Sequence, residues 1–135
     1  MQSREQKYAA TIYAQVSQYP GRLPEESKER KRYGSMAHKL PILVRGAGLA
    51  QALAFVDSRQ GSRREPYQKL LEHLAATVGE ISSPELLAFS RNADLSEYMY
   101  LTERVMLALK WYKRFAESVL HVTAGDEDEG GENVQ

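Results

Sequence analysis

The sequence predicts an all-α fold, a single-domain bundle of about five to six helices, and three observations carry that expectation. Apolar residues recur at three- and four-residue spacing through most of the 135-residue chain. No segment sustains the alternation and β-branched enrichment of a strand. Helix-start residues such as Ser3, Ser82 and Asp94 stand immediately before apolar-periodic stretches.

Taken in order, Ser3 and Gln6 form a capping-box pair ahead of the stripe Tyr8, Ala9, Ile12, Tyr13 and Val16, which places a first helix over residues 4–18. Tyr19, Pro20 and Gly21 stop it. A second helix starts at Pro24, runs through the charged stretch Glu25 to Arg32 and reaches Lys39, with a bend at Gly34. Pro41 fits a first-turn position, where its missing amide hydrogen costs nothing, and opens a third helix to Ser58.

That third helix is apolar almost all round and is expected to be central. Ile42, Leu43, Ala47, Leu49, Ala50, Leu53, Ala54 and Val56 recur at helical spacing, and Val44 and Phe55 widen the surface. Only Arg45 and Gln51 are polar between Pro41 and Asp57. Gly46, Ala50 and Ala54 form a smooth strip that would admit a second helix axis.

Residues 57–65 read as a polar loop. Pro66 opens a fourth helix through Val78 that buries Tyr67, Leu70, Leu71, Leu74 and Val78, and Gly79 ends it. Ser82, Pro84 and Glu85 begin a short fifth helix to about Ser90, and Asp94 with Glu97 caps a last helix from Leu95 to about His121. Tyr98, Leu101, Thr102, Val105, Leu109, Tyr112, Ala116, Val119 and Leu120 lie on one face and are expected to pack into the core. On the other side Tyr100, Leu107 and Trp111 stand among Arg104, Lys110 and Arg114. Large apolar side chains beside arginine are typical of protein interfaces, so Tyr100, Arg104, Leu107 and Trp111 are candidate partner contacts.

The formal charge of zero conceals an asymmetry. Asp126, Glu127, Asp128, Glu129 and Glu132 lie in the last 13 residues without a basic residue, leaving 18 basic residues against 18 − 5 = 13 acidic ones, a body charge of +5. Residues 1–122 are therefore expected to form the helical domain and residues 123–135 a disordered acidic tail. A positive body permits a polyanionic partner. The candidate phosphate contacts are Lys39, Arg45, Arg59, Arg63, Arg64, Lys110, Lys113 and Arg114. A further basic cluster, Lys28, Arg30, Lys31 and Arg32, is partly neutralised by Glu25, Glu26 and Glu29.

Chemistry of an enzymatic kind finds little support. The chain has no cysteine, and His38, His73 and His121 form no metal-binding pair. Gly46 and Gly48 make a G-x-G inside a helix rather than after a strand. No metal, cofactor or small-molecule substrate is expected. The longest apolar stretch contains Arg45 and Gln51 and is short for a membrane span, and no segment resembles a secretory signal, so a cytoplasmic protein is expected.

The segment HKLPILVRGAGLAQALAFVDSR, from His38 to Arg59, preceded by REQKYAATIYAQV and by YGSMA at residues 33–37, resembles the small all-helical subunit of type III-B CRISPR effector complexes. The likeness covers about residues 3–122. Its most specific part is L-P-x-L-x-R-x-x-G-L-x-Q-x-L-A-F, given by Leu40, Pro41, Leu43, Arg45, Gly48, Leu49, Gln51, Leu53, Ala54 and Phe55. The resemblance implies a non-catalytic subunit present in several copies, stacked beside the backbone subunits along the guide and target RNA duplex. Its implied partners are the other subunits of the complex, further copies of itself and the RNA backbone. The alternative is a helical protein-interaction module without RNA contact.

Overall fold

The computed structural model describes residues 1–125. It contains α1 (Arg4–Gln18), α2 (Lys28–Ala47), α3 (Leu49–Ser58), α4 (Arg64–Gly79), α5 (Ser83–Asn92) and α6 (Leu95–Ser118), with a single 3₁₀ turn at Gly61–Arg63. Among the described residues there are six α-helices and no strand. The acidic residues of the expected tail, Asp126 to Glu132, lie outside them.

Local signals place most helix starts. Ser3 accepts the Gln6 amide while Gln6 returns a bond to the Ser3 amide, and Ser82 and Glu85 repeat the arrangement ahead of α5. Asp94 accepts from the Glu97 amide at 2.9 Å and starts α6.

The second and third helices divide differently from expectation. α2 begins at Lys28, capped by Ser27, and runs unbroken through Pro41 to Ala47. The break falls at Gly48, whose φ of 92° and ψ of 158° lie in a region nearly closed to other residues. Gly48 has no side chain to cap α3, and the Tyr98 hydroxyl of α6 accepts the Ala50 amide at 3.0 Å in its place.

The stretch surrounded on all sides is residues 32–38 of α2 and not residues 39–58. Every residue from Arg32 to His38 is buried, whereas Ile42 is 64% exposed and Ala54 and Phe55 face solvent. Gly46 has nothing near the position of a Cβ, so the expected small-residue strip receives no helix of this chain among the described residues. Gly34 is the residue that permits close approach, because a Cβ there would stand 2.7 Å from the Val122 Cβ. It marks a contact, not a bend.

That contact belongs to the segment after α6. Val122 is buried, its carbonyl accepts from His38 Nε2 at 2.8 Å, and the Ser35 hydroxyl donates to the Ala124 carbonyl at 3.1 Å. Arg30 closes the end of α6: Nε donates to the Leu120 carbonyl at 3.3 Å, and Nη2 donates to Val119 and Leu120 at 3.3 and 3.2 Å. Its Nη1 donates to Gly21 and Leu23 in the α1–α2 loop at 3.1 and 2.8 Å. A guanidinium at a helix C-terminus satisfies orphan carbonyls and opposes the negative end of the helix dipole.

A buried polar set joins the other helices. The Tyr112 hydroxyl of α6 donates to Gln15 Oε1 of α1 at 2.6 Å, and Gln15 Nε2 donates to Thr77 Oγ1 of α4 at 3.1 Å. Nearby, the Tyr33 hydroxyl meets His73 Nδ1 at 2.7 Å. Burial, with a smaller contribution from Lys69, pushes the His73 imidazole down to about 4, so the ring is neutral at neutral pH.

Two stability measurements follow from these contacts. Arg30→Met strands five buried or half-buried hydrogen bonds and is expected to cost about 3 kcal/mol in urea unfolding, whereas Arg114→Met on the surface stays within about 0.5 kcal/mol. His73 gives the pH dependence. An unfolded histidine takes up a proton near 6.5 that the native ring refuses until about 4. Its contribution is thus complete above pH 6.5 and declines by up to about 1.4 kcal/mol per unit as pH falls from there toward 4. Urea midpoints between about pH 7.5 and 5 should show this decline, and His73→Gln should remove most of it.

Candidate nucleic-acid interface

Packing leaves one long face of α6 in solvent. Leu101, Val105, Ala108, Leu109, Tyr112 and Ala116 turn into the core, so residues about 150° around the helix form an outward ridge. α1 lies along one flank of that ridge, where Tyr8 meets Arg104 and Gln15 meets Tyr112. α2 lies along the other, running antiparallel to α6.

Between α2 and the second half of α6 opens a groove of about 300 Å³ lined by Pro41, Arg45, Met106, Lys110, Lys113, Arg114 and Glu117. Four of the eight candidate phosphate contacts, Arg45, Lys110, Lys113 and Arg114, therefore converge although about 65 residues separate Arg45 from the rest. Lys110, Lys113 and Arg114 are i, i+3 and i+4 on one helix and share a face. Arg45 joins them only through the antiparallel pairing.

The charges are partly answered. Lys110 Nζ sits 2.6 Å from Glu5 Oε2, and Arg114 Nη1 sits 3.9 Å from Glu117. The Lys110 ammonium holds the Glu5 carboxyl below its usual range. Both pairs are well exposed, so each is weak and leaves the cations open to another anion. Lys110 and Arg114 also face a smaller depression shared with Glu5 and Trp111.

The remaining candidates do not converge. Lys39 is half-buried on α2 outside the groove lining, and Arg59 packs its guanidinium over the Phe55 ring at 5.6 Å. Arg64 is exposed and donates to the Asp57 carbonyl at 3.3 Å. Arg63 is 6% exposed, a correction to its expected place on a loop surface. The 3₁₀ turn that leads into α4 directs it inward. Arg30 and Arg32 are buried as well, which removes them from the basic surface cluster.

The candidate partner contacts divide. Leu107 and Trp111 are half-buried against the core, and Trp111 lies 5.5 Å from Phe115. Arg104 is a structural residue: it donates to the Val78 carbonyl at the end of α4 and to the Tyr8 hydroxyl at 3.3 Å. Tyr100 is 50% exposed, with Arg4 and Arg104 over its ring at 5.9 and 5.5 Å. Sequence reasoning missed its neighbours Leu95 and Met99, which are 74% and 56% exposed and border a shallow surface with Ser96, Tyr100 and Glu103. Their four-residue spacing on the capped helix was the available signal.

Two histidines have packing roles, His38 toward Val122 and His73 toward Tyr33. Among the described residues, no group of three or more histidine or carboxylate side chains is placed to hold a metal ion, and no helix is long and apolar enough to cross a membrane.

Comparison with known proteins agrees with this architecture. A family model described as CRISPR-associated protein (Cas_Cmr5) matches residues 4–119. The CRISPR system Cmr subunit Cmr5 of Thermus thermophilus is 41% identical over 120 residues, covering 89% of this chain and 98% of that one. A crystal structure of a CRISPR-associated Cmr5 family protein from the same organism superposes with a TM-score of 0.77 at 40% identity, covering 88% of this chain and 98% of that chain. With the family model spanning most of its length and this identity over nearly all of a relative, the chain belongs to the Cas_Cmr5 family of CRISPR-associated proteins.

Proposed function

We propose that this chain is a non-catalytic subunit of a type III-B Cmr effector complex that lies, in several copies, along the guide and target RNA and holds the RNA backbone through the groove between α2 and α6. The convergence of Arg45 with Lys110, Lys113 and Arg114 carries the reading, because phosphate recognition requires positive charge at groove spacing and no base-reading side chain. Sequence choice is left to base pairing. The packing roles of His38 and His73 support the non-catalytic assignment, with no cofactor and no small-molecule substrate. The complex works in the cytoplasm.

Neighbouring protein is the natural cover for Leu95, Met99 and Tyr100, which stand together at the start of α6. This ridge also supports a second reading, a protein-interaction module with no RNA contact. The two make opposite demands on the same helix.

Charge reversal at Lys110, Lys113 and Arg114 in the assembled complex is expected to weaken target RNA binding at least about tenfold near 150 mM salt and to flatten the salt dependence, the log–log slope falling by about 1 per lost phosphate contact. Unchanged affinity at every salt concentration would remove the groove from the reading. Leu95→Asp with Met99→Asp should impair assembly while leaving the thermal midpoint of the isolated chain within a few degrees. An RNA affinity set only by assembly, and indifferent to the groove charges, would favour the interaction module.

A further inference from the structure

Lys110 and Arg114 stand on a crest. One turn apart on α6, they line the α2–α6 groove on one side and, on the other, a depression of about 250 Å³ that they share with Glu5 of α1 and Trp111. Arg45 and Lys113 line the groove only. An anion held in the groove therefore has a second set of donors beside it.

That second set already holds an anion. Glu5 Oε2 lies 2.6 Å from Lys110 Nζ, and the ammonium keeps the Glu5 carboxyl below its usual range, with a smaller contribution from the Trp111 indole. The carboxylate is ionised at neutral pH. Trp111 Nε1 is sealed from solvent yet closes no hydrogen bond of ordinary geometry, so it is a buried donor close to Glu5 and not satisfied by it. Glu5 is also free to leave. It sits in the first turn of α1, whose start is fixed by the Ser3–Gln6 capping box, so its departure needs side-chain rotation and no change of backbone. With the acid 42% and the lysine 59% exposed, the pair is screened and weakly held.

We propose that Lys110, Arg114 and the Trp111 indole N–H form a phosphate seat beside the groove, filled in the free protein by the Glu5 carboxylate and surrendered to an RNA phosphate when the strand is also held at Arg45 and Lys113. The seat rests on the RNA-binding reading of that groove. A lone small anion must displace a carboxylate already in place, whereas a phosphate on a strand arrives linked to its other contacts and at high effective concentration. Several oxygens on one phosphate also offer the indole N–H an acceptor that the single carboxylate leaves wanting. Glu5 thus raises the contrast between a strand lying along α6 and a stray anion.

The test uses the full-length chain and its single tryptophan, whose indole N–H gives one resonance. Glu5→Gln keeps the shape of the side chain and removes its charge. Binding of a labelled oligouridine of about 20 nucleotides at about 50 mM salt is expected to tighten at least about threefold over the parent chain, and the indole resonance is expected to move when the RNA is added. Most of the gain should disappear when Lys110→Gln is also present, the sign of a direct coupling. An equal gain in that background would mean a general field and would overturn the proposal. A loss of affinity would make Glu5 a support for Lys110 and overturn it as well, as would no gain or no detectable binding by either chain. The two readings fail separately. RNA binding indifferent to Arg45→Glu and Lys113→Glu, with a moving indole and a Lys110-dependent gain, would sink the groove and leave the seat; binding weakened by those two substitutions, with a fixed indole resonance, would sink the seat alone.

Discussion

The arrangement depends on closing the C-terminus of α6 with a side chain from α2. The carbonyls of the last turn have no partners within their own helix, and burying them unsatisfied would cost about 1–3 kcal/mol each. Arg30 answers Val119 and Leu120 and, with its remaining nitrogen, the loop that precedes its own helix. One planar, permanently charged group therefore joins its own helix, the loop just before it and the end of α6 about ninety residues later. Once α6 ends at this point, the following residues have one course, along Gly34, Ser35 and His38, where the absence of a Cβ at Gly34 lets Val122 sit against the backbone.

A second group of polar contacts fixes the rotation of α6. Tyr112 is fully buried, and its hydroxyl is shared with Gln15 and Thr77, so helices α1, α4 and α6 cannot turn independently without stranding a donor. Burial raises the Tyr112 hydroxyl, keeping it a neutral donor. Arg104 applies at the end of α4 the device that Arg30 applies at the end of α6. Apolar burial supplies most of the driving force in such a bundle, but it tolerates rotation; these directed contacts select which face of the last helix meets water.

What could be read from the sequence was local. Ser3 with Gln6, Ser82 with Glu85, and Asp94 all announce helix starts within four residues, and the structure keeps each. That Lys110, Lys113 and Arg114 share a helix face was legible for the same reason. The boundary between α2 and α3 was not, because Pro41 is a strong start signal while Gly48 sits in an apolar stretch that looks continuous; the Tyr98 hydroxyl that supports the break comes from about fifty residues away. Buried arginines were misjudged on the same ground. Arg30 and Arg63 have the sequence surroundings of surface residues, and the carbonyls that hold Arg30 at the end of α6 lie about ninety residues later. The convergence of Arg45 on the groove required the antiparallel pairing of α2 and α6, which periodicity does not encode.

A single element, α6, carries both an exposed apolar ridge and part of the basic groove. α6 spans 24 residues, about 36 Å, and its outward ridge changes character near its middle, from Leu95, Met99 and Tyr100 to Lys110, Lys113 and Arg114. Either half alone would bind a partner weakly. Exposed cations act across a screening length of about 8 Å and are worth little singly, and a ridge of three apolar side chains is far smaller than a stable protein interface. On the proposed reading, a neighbour seated on the apolar half would determine where the cationic half meets RNA, because both halves are joined on one helix. On that reading the loss of freedom would be shared between the two contacts, and the modest charge of the groove would suffice without a base-reading residue.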